Sequence, residues 1–143
     1  MKVAVDSSIL VAALLPHEDG HQACVALLEQ SSHVTAWPHV MSETFSSLTG
    51  GRHGWRAKPN QASQLIGDLL PQLSFTELTA ADMSAALREA HLVGVRGGAI
   101  YDYLHLVAAR KAGAEAFYTL NSRHFAAVAR AGDPHILSPE SSL

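Results

Sequence analysis

The sequence of 143 residues predicts an α/β fold in which helices cover both faces of a central, mainly parallel sheet. Short apolar runs with the length of buried strands alternate with longer runs of helical periodicity. Hydrophobic residues make up 48% of the chain and charged residues only 16%, so a packed core is expected instead of disorder. A chain of this length can bury such a core as a single domain over residues 1–143.

The first third of the chain is predicted to run strand, helix, helix, strand, helix. These elements cover residues 3–5, 7–15, 22–30, 33–37 and 40–48. Pro16 ends the first helix, because proline lacks the N–H group that a helix interior needs, and Gly50-Gly51 end the last one. The lone cysteine, Cys24, lies in the apolar run of the second helix, so a buried thiol in a reducing cytosol is expected.

The rest of the chain starts with a segment of loop composition over residues 51–59. Helices are then predicted over residues 62–70, 79–95, 99–111 and 123–130, and strands over residues 73–78, 116–119 and 135–137. Gly97-Gly98 separate the two central helices. Because successive strands are joined through helices, the sheet is expected to be parallel.

Four polar residues are candidates for a functional site. Asp6 follows the first strand and Asn121 follows the strand over residues 116–119. Glu43 and Asp102 lie on predicted helices. The carboxyl ends of parallel strands share one edge of the sheet, where ligands usually bind. Acids that converge there repel one another unless a hard cation such as Mg²⁺ or Mn²⁺ neutralises them, so the pattern indicates a metal-dependent phosphodiesterase site.

Asp6 and Asp102 also have structural explanations. Asp6 could cap the helix that follows it, although either of the next two serines could do the same. Asp102 lies in the first turn of its helix, where the helix dipole favours a negative charge. Ile100, Leu104 and Val107 are predicted to form the buried stripe of that helix, which leaves Asp102 free to face a cleft.

Glu43 has the position of an ordinary solvated glutamate. Met41, Phe45 and Leu48 follow an i, i+4, i+7 spacing and predict the core-facing stripe of this helix. Glu43 lies roughly opposite that stripe. Helical geometry therefore permits a cleft-facing role for Glu43 without favouring one.

Composition excludes several classes of protein. Ten basic and 13 acidic residues give a formal net charge of −3, which does not suit a protein that coats nucleic acid through bulk electrostatics but allows a small basic rim. No apolar run has the length of a membrane span, and no cleavage site follows the apolar start. We therefore expect a soluble cytoplasmic protein with no membrane partner.

Residues 17–21 match the H-E-x-x-H pattern of zinc proteases. That site needs one continuous helix, so that both histidines face the same way. Here Pro16 precedes the segment and Gly20 interrupts it. A loop that exposes His17 and His21 is the expected structure.

The ordered set of motifs resembles that of the PIN-domain ribonucleases, specifically the VapC toxins of bacterial toxin–antitoxin pairs. The matching segments are residues 3–8, 42–45, 99–102, 106–109 and 118–125. The resemblance implies a PIN-like three-layer α/β/α sandwich, with Asp6, Glu43 and Asp102 clustered around Mg²⁺ or Mn²⁺ and Ser8 hydrogen-bonded within the cluster. Many relatives carry Asp where this chain has Asn121, which offers a weaker hold on a second metal ion.

The resemblance also implies an activity and partners. It implies a metal-dependent endoribonuclease toxin of a type II toxin–antitoxin system, which forms a homodimer, cleaves RNA and is neutralised by a cognate VapB-type antitoxin. Asp6 and Asp102 would bind the metal directly, and Glu43 would bind it through water or position the attacking water. Candidates for holding RNA phosphates are Arg52, Arg56, Lys58, Arg96 and Arg123.

Two alternatives to this activity stay open. The first is a catalytically weak PIN domain that binds RNA or a protein partner, with Asn121 as the sign of lost activity. The second is a metal-dependent DNA nuclease that uses the same acids with a different rim.

Overall fold

A parallel five-stranded sheet forms the centre of the molecule. The computed structural model describes residues 1–50 and 56–139. Its strands are β1 (Lys2–Val5), β2 (His33–Ala36), β3 (Ser74–Phe75), β4 (Ala116–Tyr118) and β5 (His135–Leu137). Every neighbouring pair is parallel, and the order β3-β2-β1-β4-β5 places β1 at the centre. The predicted parallel sheet is confirmed.

Helices cover both faces of this sheet. They are α1 (Ser7–Leu14), α2 (His21–Gln30), α3 (His39–Gly50), α4 (Pro59–Leu69), α5 (Ala80–Glu89), α6 (Ala99–Lys111) and α7 (Ser122–Ala126). Strand side chains alternate between the faces. Val3 and Val5 pack in one core with residues of α1 to α4, whereas Ala4 and Phe117 pack in a second core with residues of α5 to α7. The predicted three-layer α/β/α sandwich is therefore confirmed.

Several predicted elements are wrong in extent. The helix predicted over residues 123–130 ends at Ala126. The strand predicted over residues 73–78 contributes only β3, an edge strand that pairs with β2 through two residues. The helix predicted over residues 79–95 ends at Glu89 and continues as a 3₁₀ turn, Ala90–Val93. Gly94 closes this turn at a φ of 72°, a left-handed conformation that glycine adopts without strain.

The segment that matches the zinc-protease pattern is not one helix. His17 lies in a turn, and α2 begins only at His21, after Gly20 with a φ of 81°. As predicted, the two histidines therefore do not share a helical face. Cys24 is buried, also as predicted. Within the described ranges, no helix combines the length and apolar character needed to cross a membrane.

Candidate active site

The candidate site is built around Asp6, which directly follows the central strand β1 and is only 4% exposed. Its Oδ1 accepts hydrogen bonds from the backbone N–H of Ser8 at 3.1 Å and from the Ser8 hydroxyl at 2.6 Å. Its Oδ2 accepts a hydrogen bond from the hydroxyl of Thr119 at 2.7 Å. Asp6 therefore caps α1 and also binds a residue that follows β4. The expected hydrogen bonding of Ser8 is confirmed.

Burial makes the charge of Asp6 costly. Burial raises the pKa of Asp6 above its ordinary value, and the hydrogen bonds from Ser8 and Thr119 offset this only in part. A buried carboxylate in this condition is stabilised by a nearby positive charge.

The fully buried Thr119 joins the ends of the two central strands, and the sequence analysis missed it. Its Oγ1 also accepts the backbone N–H of Asn121 at 3.0 Å, and the backbone N–H of Leu120 donates to the Ser8 hydroxyl at 2.9 Å. The Leu120–Ser8 and Thr119–Asp6 bonds hold the end of β4 against the end of β1. The position of a threonine directly after an apolar strand was the one signal in the sequence that could have indicated Thr119.

Glu43 is not the solvated glutamate that periodicity predicted. Its carboxylate accepts a hydrogen bond from Nε2 of His105, which is 3% exposed on α6. Because a carboxylate can only accept, Nε2 carries the hydrogen. Burial raises the pKa of Glu43, but the hydrogen bond and the charge of His105 outweigh it and leave the pKa below its ordinary value. Glu43 is therefore held in its ionised form.

The predicted core stripe of α3 is confirmed at Leu48 and partly at Met41, which packs against the core, but is wrong at Phe45. The buried residues are Val40, Thr44 and Leu48, and Phe45 is 38% exposed. Thr44 enters the core because its hydroxyl donates to the backbone carbonyl of Val40 at 2.7 Å. This local bond satisfies a polar group that a hydropathy pattern assigns to solvent.

Asp102 lies half-buried on α6, close to the same histidine. Burial raises the pKa of Asp102, the negative charge of Glu43 raises it further, and His105 and His124 oppose this rise. His105 follows Asp102 by three residues and so lies on the same side of the helix. The charge of His105 acts on Asp6, Glu43 and Asp102 alike. Asp6, Glu43 and Asp102 therefore all lie within electrostatic range of one histidine, His105, which the sequence patterns did not indicate.

Asn121 is the N-cap residue of α7, and its backbone N–H donates to the Thr119 hydroxyl that also binds Asp6. Its side chain is exposed and makes no capping hydrogen bond. It lines a groove with Ser7, Ser8 and Ser47. The candidate phosphate-binding residues Arg56, Lys58, Arg96 and Arg123 are exposed, and Arg52 lies outside the described residues.

The chemistry of these side chains fits a hard divalent cation. Asp6 and Asp102 both have raised pKa values, and Asp102 lies near enough to Glu43 for the charge of Glu43 to raise its pKa. Among residues 1–50 and 56–139, no three His, Cys, Asp or Glu side chains are placed to hold one metal ion together. Mg²⁺ keeps several water ligands and is usually bound by only one or two carboxylates, so this arrangement agrees with a hydrated ion.

Comparison with known proteins identifies the family. The sequence pattern of the PIN domain matches residues 3–131, a range that contains Asp6, Glu43, Asp102 and Asn121. The chain belongs to the PIN-domain family. This PIN domain is also 31% identical over 113 residues to Ribonuclease VapC40 of Mycobacterium tuberculosis, a match that covers 79% of this chain and 82% of that protein. The resemblance to VapC proteins is thus confirmed.

Solved structures agree with this family. VapC20 of Mycobacterium tuberculosis, described as a sarcin-ricin loop cleaving toxin, has a TM-score of 0.70 at 21% identity, covering 87% of this chain and 94% of that one. VapBC2 of Rickettsia felis, bound to a DNA fragment from its promoter, has a TM-score of 0.67 at 18% identity, covering 96% and 98%. At these identities the likeness shows the fold of the PIN domain.

Proposed function

We propose that this PIN domain is a divalent-metal-dependent endoribonuclease toxin of a type II toxin–antitoxin system, acting as a single cytoplasmic domain. The observation that carries the proposal is the convergence of Asp6, Glu43 and Asp102 around His105. Membership of the PIN-domain family and the identity with a named ribonuclease support RNA as the substrate.

In this proposal Asp6 and Asp102 hold Mg²⁺ or Mn²⁺, and Glu43 positions the attacking water or binds the metal through water. A bound metal lowers the pKa of a water ligand and offsets the charge that builds on the phosphate in the transition state. Ser8 and Thr119 fix the carboxylate of Asp6 with three hydrogen bonds. His105 keeps Glu43 ionised and oriented.

The proposed partners are an RNA substrate, a cognate VapB-type antitoxin and a second copy of this chain in a homodimer. The antitoxin is supported by the VapBC2 structure, in which a toxin of this fold is named together with its antitoxin. The residues proposed to hold RNA phosphates are Arg52, Arg56, Lys58, Arg96 and Arg123. The last four of these are exposed.

The test is cleavage of total bacterial RNA by the purified chain, freed of antitoxin. We expect discrete fragments with Mg²⁺ or Mn²⁺, none with EDTA, and a rate lower by roughly 100-fold or more in Asp102→Asn, since the amide removes a charged ligand. Asp68→Asn makes the same change at an exposed position on α4 and serves as the matched control.

Two results would favour other functions. If the RNA stays intact with Mg²⁺ and also with Mn²⁺, the result would favour a catalytically weak PIN domain that binds RNA or a protein partner. Equal cleavage of DNA and RNA of one sequence would identify a nuclease that ignores the 2′-hydroxyl.

A further inference from the structure

Three aromatic rings lead from the second core to the rim of the acidic cluster. Trp37 is 9% exposed, and its ring lies 4.7 Å from that of His39. His39 in turn stacks on Tyr101, with ring centroids 5.4 Å apart and an interplanar angle of 9°. Tyr101 is 50% exposed. The outermost ring is therefore stacked on His39, while about half of the Tyr101 side chain stays exposed to solvent.

These rings border the groove that contains Glu43. Tyr101 and His39 form one part of its lining, and the remaining residues are Ser7, Ser42, Glu43, Ser46 and Ser47. Tyr101 also directly precedes Asp102 on α6. A chain that enters this groove therefore meets the Tyr101 ring and the Glu43 carboxylate together.

We propose that Tyr101, supported by His39, stacks on one unpaired base of the RNA next to the cleaved phosphate. The inference rests on the proposed ribonuclease function and defines its substrate as RNA with an unstacked base at the cleavage site. Every base offers a π face to an aromatic ring, whereas a base inside a duplex has both faces covered. Because His39 already holds the Tyr101 ring, little side-chain freedom is lost on binding.

The first test compares the affinity of variants for a synthetic RNA that spans the cleavage site. Tyr101→Ala is expected to weaken binding by about 5- to 150-fold, the usual loss for one base–aromatic stack. Tyr101→Phe keeps the ring and should restore most of that loss. Phe45→Ala removes another exposed aromatic ring, about 200° around α3 from Glu43, and is the matched control.

The second test replaces single nucleotides of this RNA with abasic ones. At the stacked position, the abasic RNA should bind wild-type protein as weakly as intact RNA binds Tyr101→Ala. Combining both changes should add no further loss, because each removes one half of the same contact.

The results of these tests distinguish a failure of the stacking inference from a failure of the proposed ribonuclease function. If the wild type cleaves RNA but Tyr101→Ala binds RNA as tightly as Phe45→Ala, base stacking by Tyr101 is overturned and the ribonuclease function stands. Base stacking by Tyr101 is also overturned if Tyr101→Ala weakens binding to the antitoxin but leaves binding to RNA unchanged. A wild type that cleaves no RNA with either metal would overturn the proposed function and this inference together.

Discussion

His105 on α6 donates a hydrogen bond from Nε2 to the carboxylate of Glu43 on α3. The imidazole also packs edge-on against Trp37, with ring centroids 5.1 Å apart. Its Nδ1 is buried and has no hydrogen-bond partner among the described residues. The orientation of the ring is therefore set by Glu43 and by packing.

Replacing His105 should reduce catalysis more than RNA binding. We expect His105→Ala to lower the rate at saturating RNA by roughly 10- to 100-fold, the usual effect of losing a partner that orients an acidic site, with little change in KM. His105→Gln keeps an N–H donor and should recover part of the rate. Single-turnover cleavage measures this, and His33→Ala, at an exposed histidine, is the control. Equal rates for all variants would contradict the positioning role.

Removing the Thr119 hydroxyl should destabilise the fold and shift the pH dependence of cleavage. Thr119→Val is expected to cost about 1–3 kcal/mol in urea unfolding, because Asp6 and the N–H of Asn121 lose a buried partner. Loss of this bond raises the pKa of Asp6 further, so the acidic limb of the rate profile should move to higher pH. Thr119→Ser keeps the hydroxyl and should leave that limb in place.

Asp102 should destabilise the metal-free protein. Its pKa is raised in the folded state, so its ionisation weakens folding as the pH rises through that value. Asp102→Asn should therefore have the higher Tm at neutral pH without metal, and the difference should vanish below the ordinary pKa of 3.8. Added Mg²⁺ should raise the Tm of the wild type but not that of the variant. Calorimetry with and without EDTA tests this, and identical Tm values throughout would contradict it.

Asn121 should matter less for cleavage than the three acids. Its side chain is exposed and neutral and makes no capping hydrogen bond, so Asn121→Ala is expected to lower the rate by less than about 10-fold. Asn121→Asp adds a carboxylate and should lower the Mg²⁺ concentration needed for half-maximal rate. Metal titrations of both variants provide the measurement. A loss in Asn121→Ala as large as that in Asp102→Asn would place Asn121 in the catalytic cluster.

Asp82 should contribute to stability only above acidic pH. Its hydrogen bonds with Lys111 and Thr79 lower its pKa from 3.8 to about 2. A lowered folded-state pKa gives stability that is present above 3.8 and is lost as the pH falls towards 2. Asp82→Asn should therefore lower the Tm at pH 7, with a difference that narrows between pH 4 and pH 2. A constant difference in thermal melts across that range would contradict this.

The layers of the fold were predictable because the strands are short and buried. Val3 and Val5 face one core and Ala4 faces the other, so a run of apolar residues with no polar interruption predicts a strand covered on both sides. The start of α4 was less predictable. It begins at Pro59, three residues before the periodic pattern, because the fixed φ of proline suits the first helical turn.

The partners of the acids were beyond prediction from local sequence. Glu43 and His105 are 62 residues apart, and helical periodicity describes each helix without its neighbour. Thr44 shows the same limit, because its hydroxyl is satisfied inside the helix and its methyl group joins the core. The positions of Asp6 and Asp102 were predictable because strand ends and first helical turns leave a signature in the chain itself.

Because β1 lies between β2 and β4, its pairing is complete only after β4 has been synthesised. Asp6 is synthesised before its partner Thr119, which lies 113 residues further along the chain. A nascent chain that stops before β4 lacks a neighbour on one side of β1 and the hydroxyl that fixes Asp6. Such distant pairings form late, because the intervening loop must first be closed. The hydrogen bonding that fixes Asp6 is therefore complete only after Thr119 has been synthesised and β4 has paired with β1.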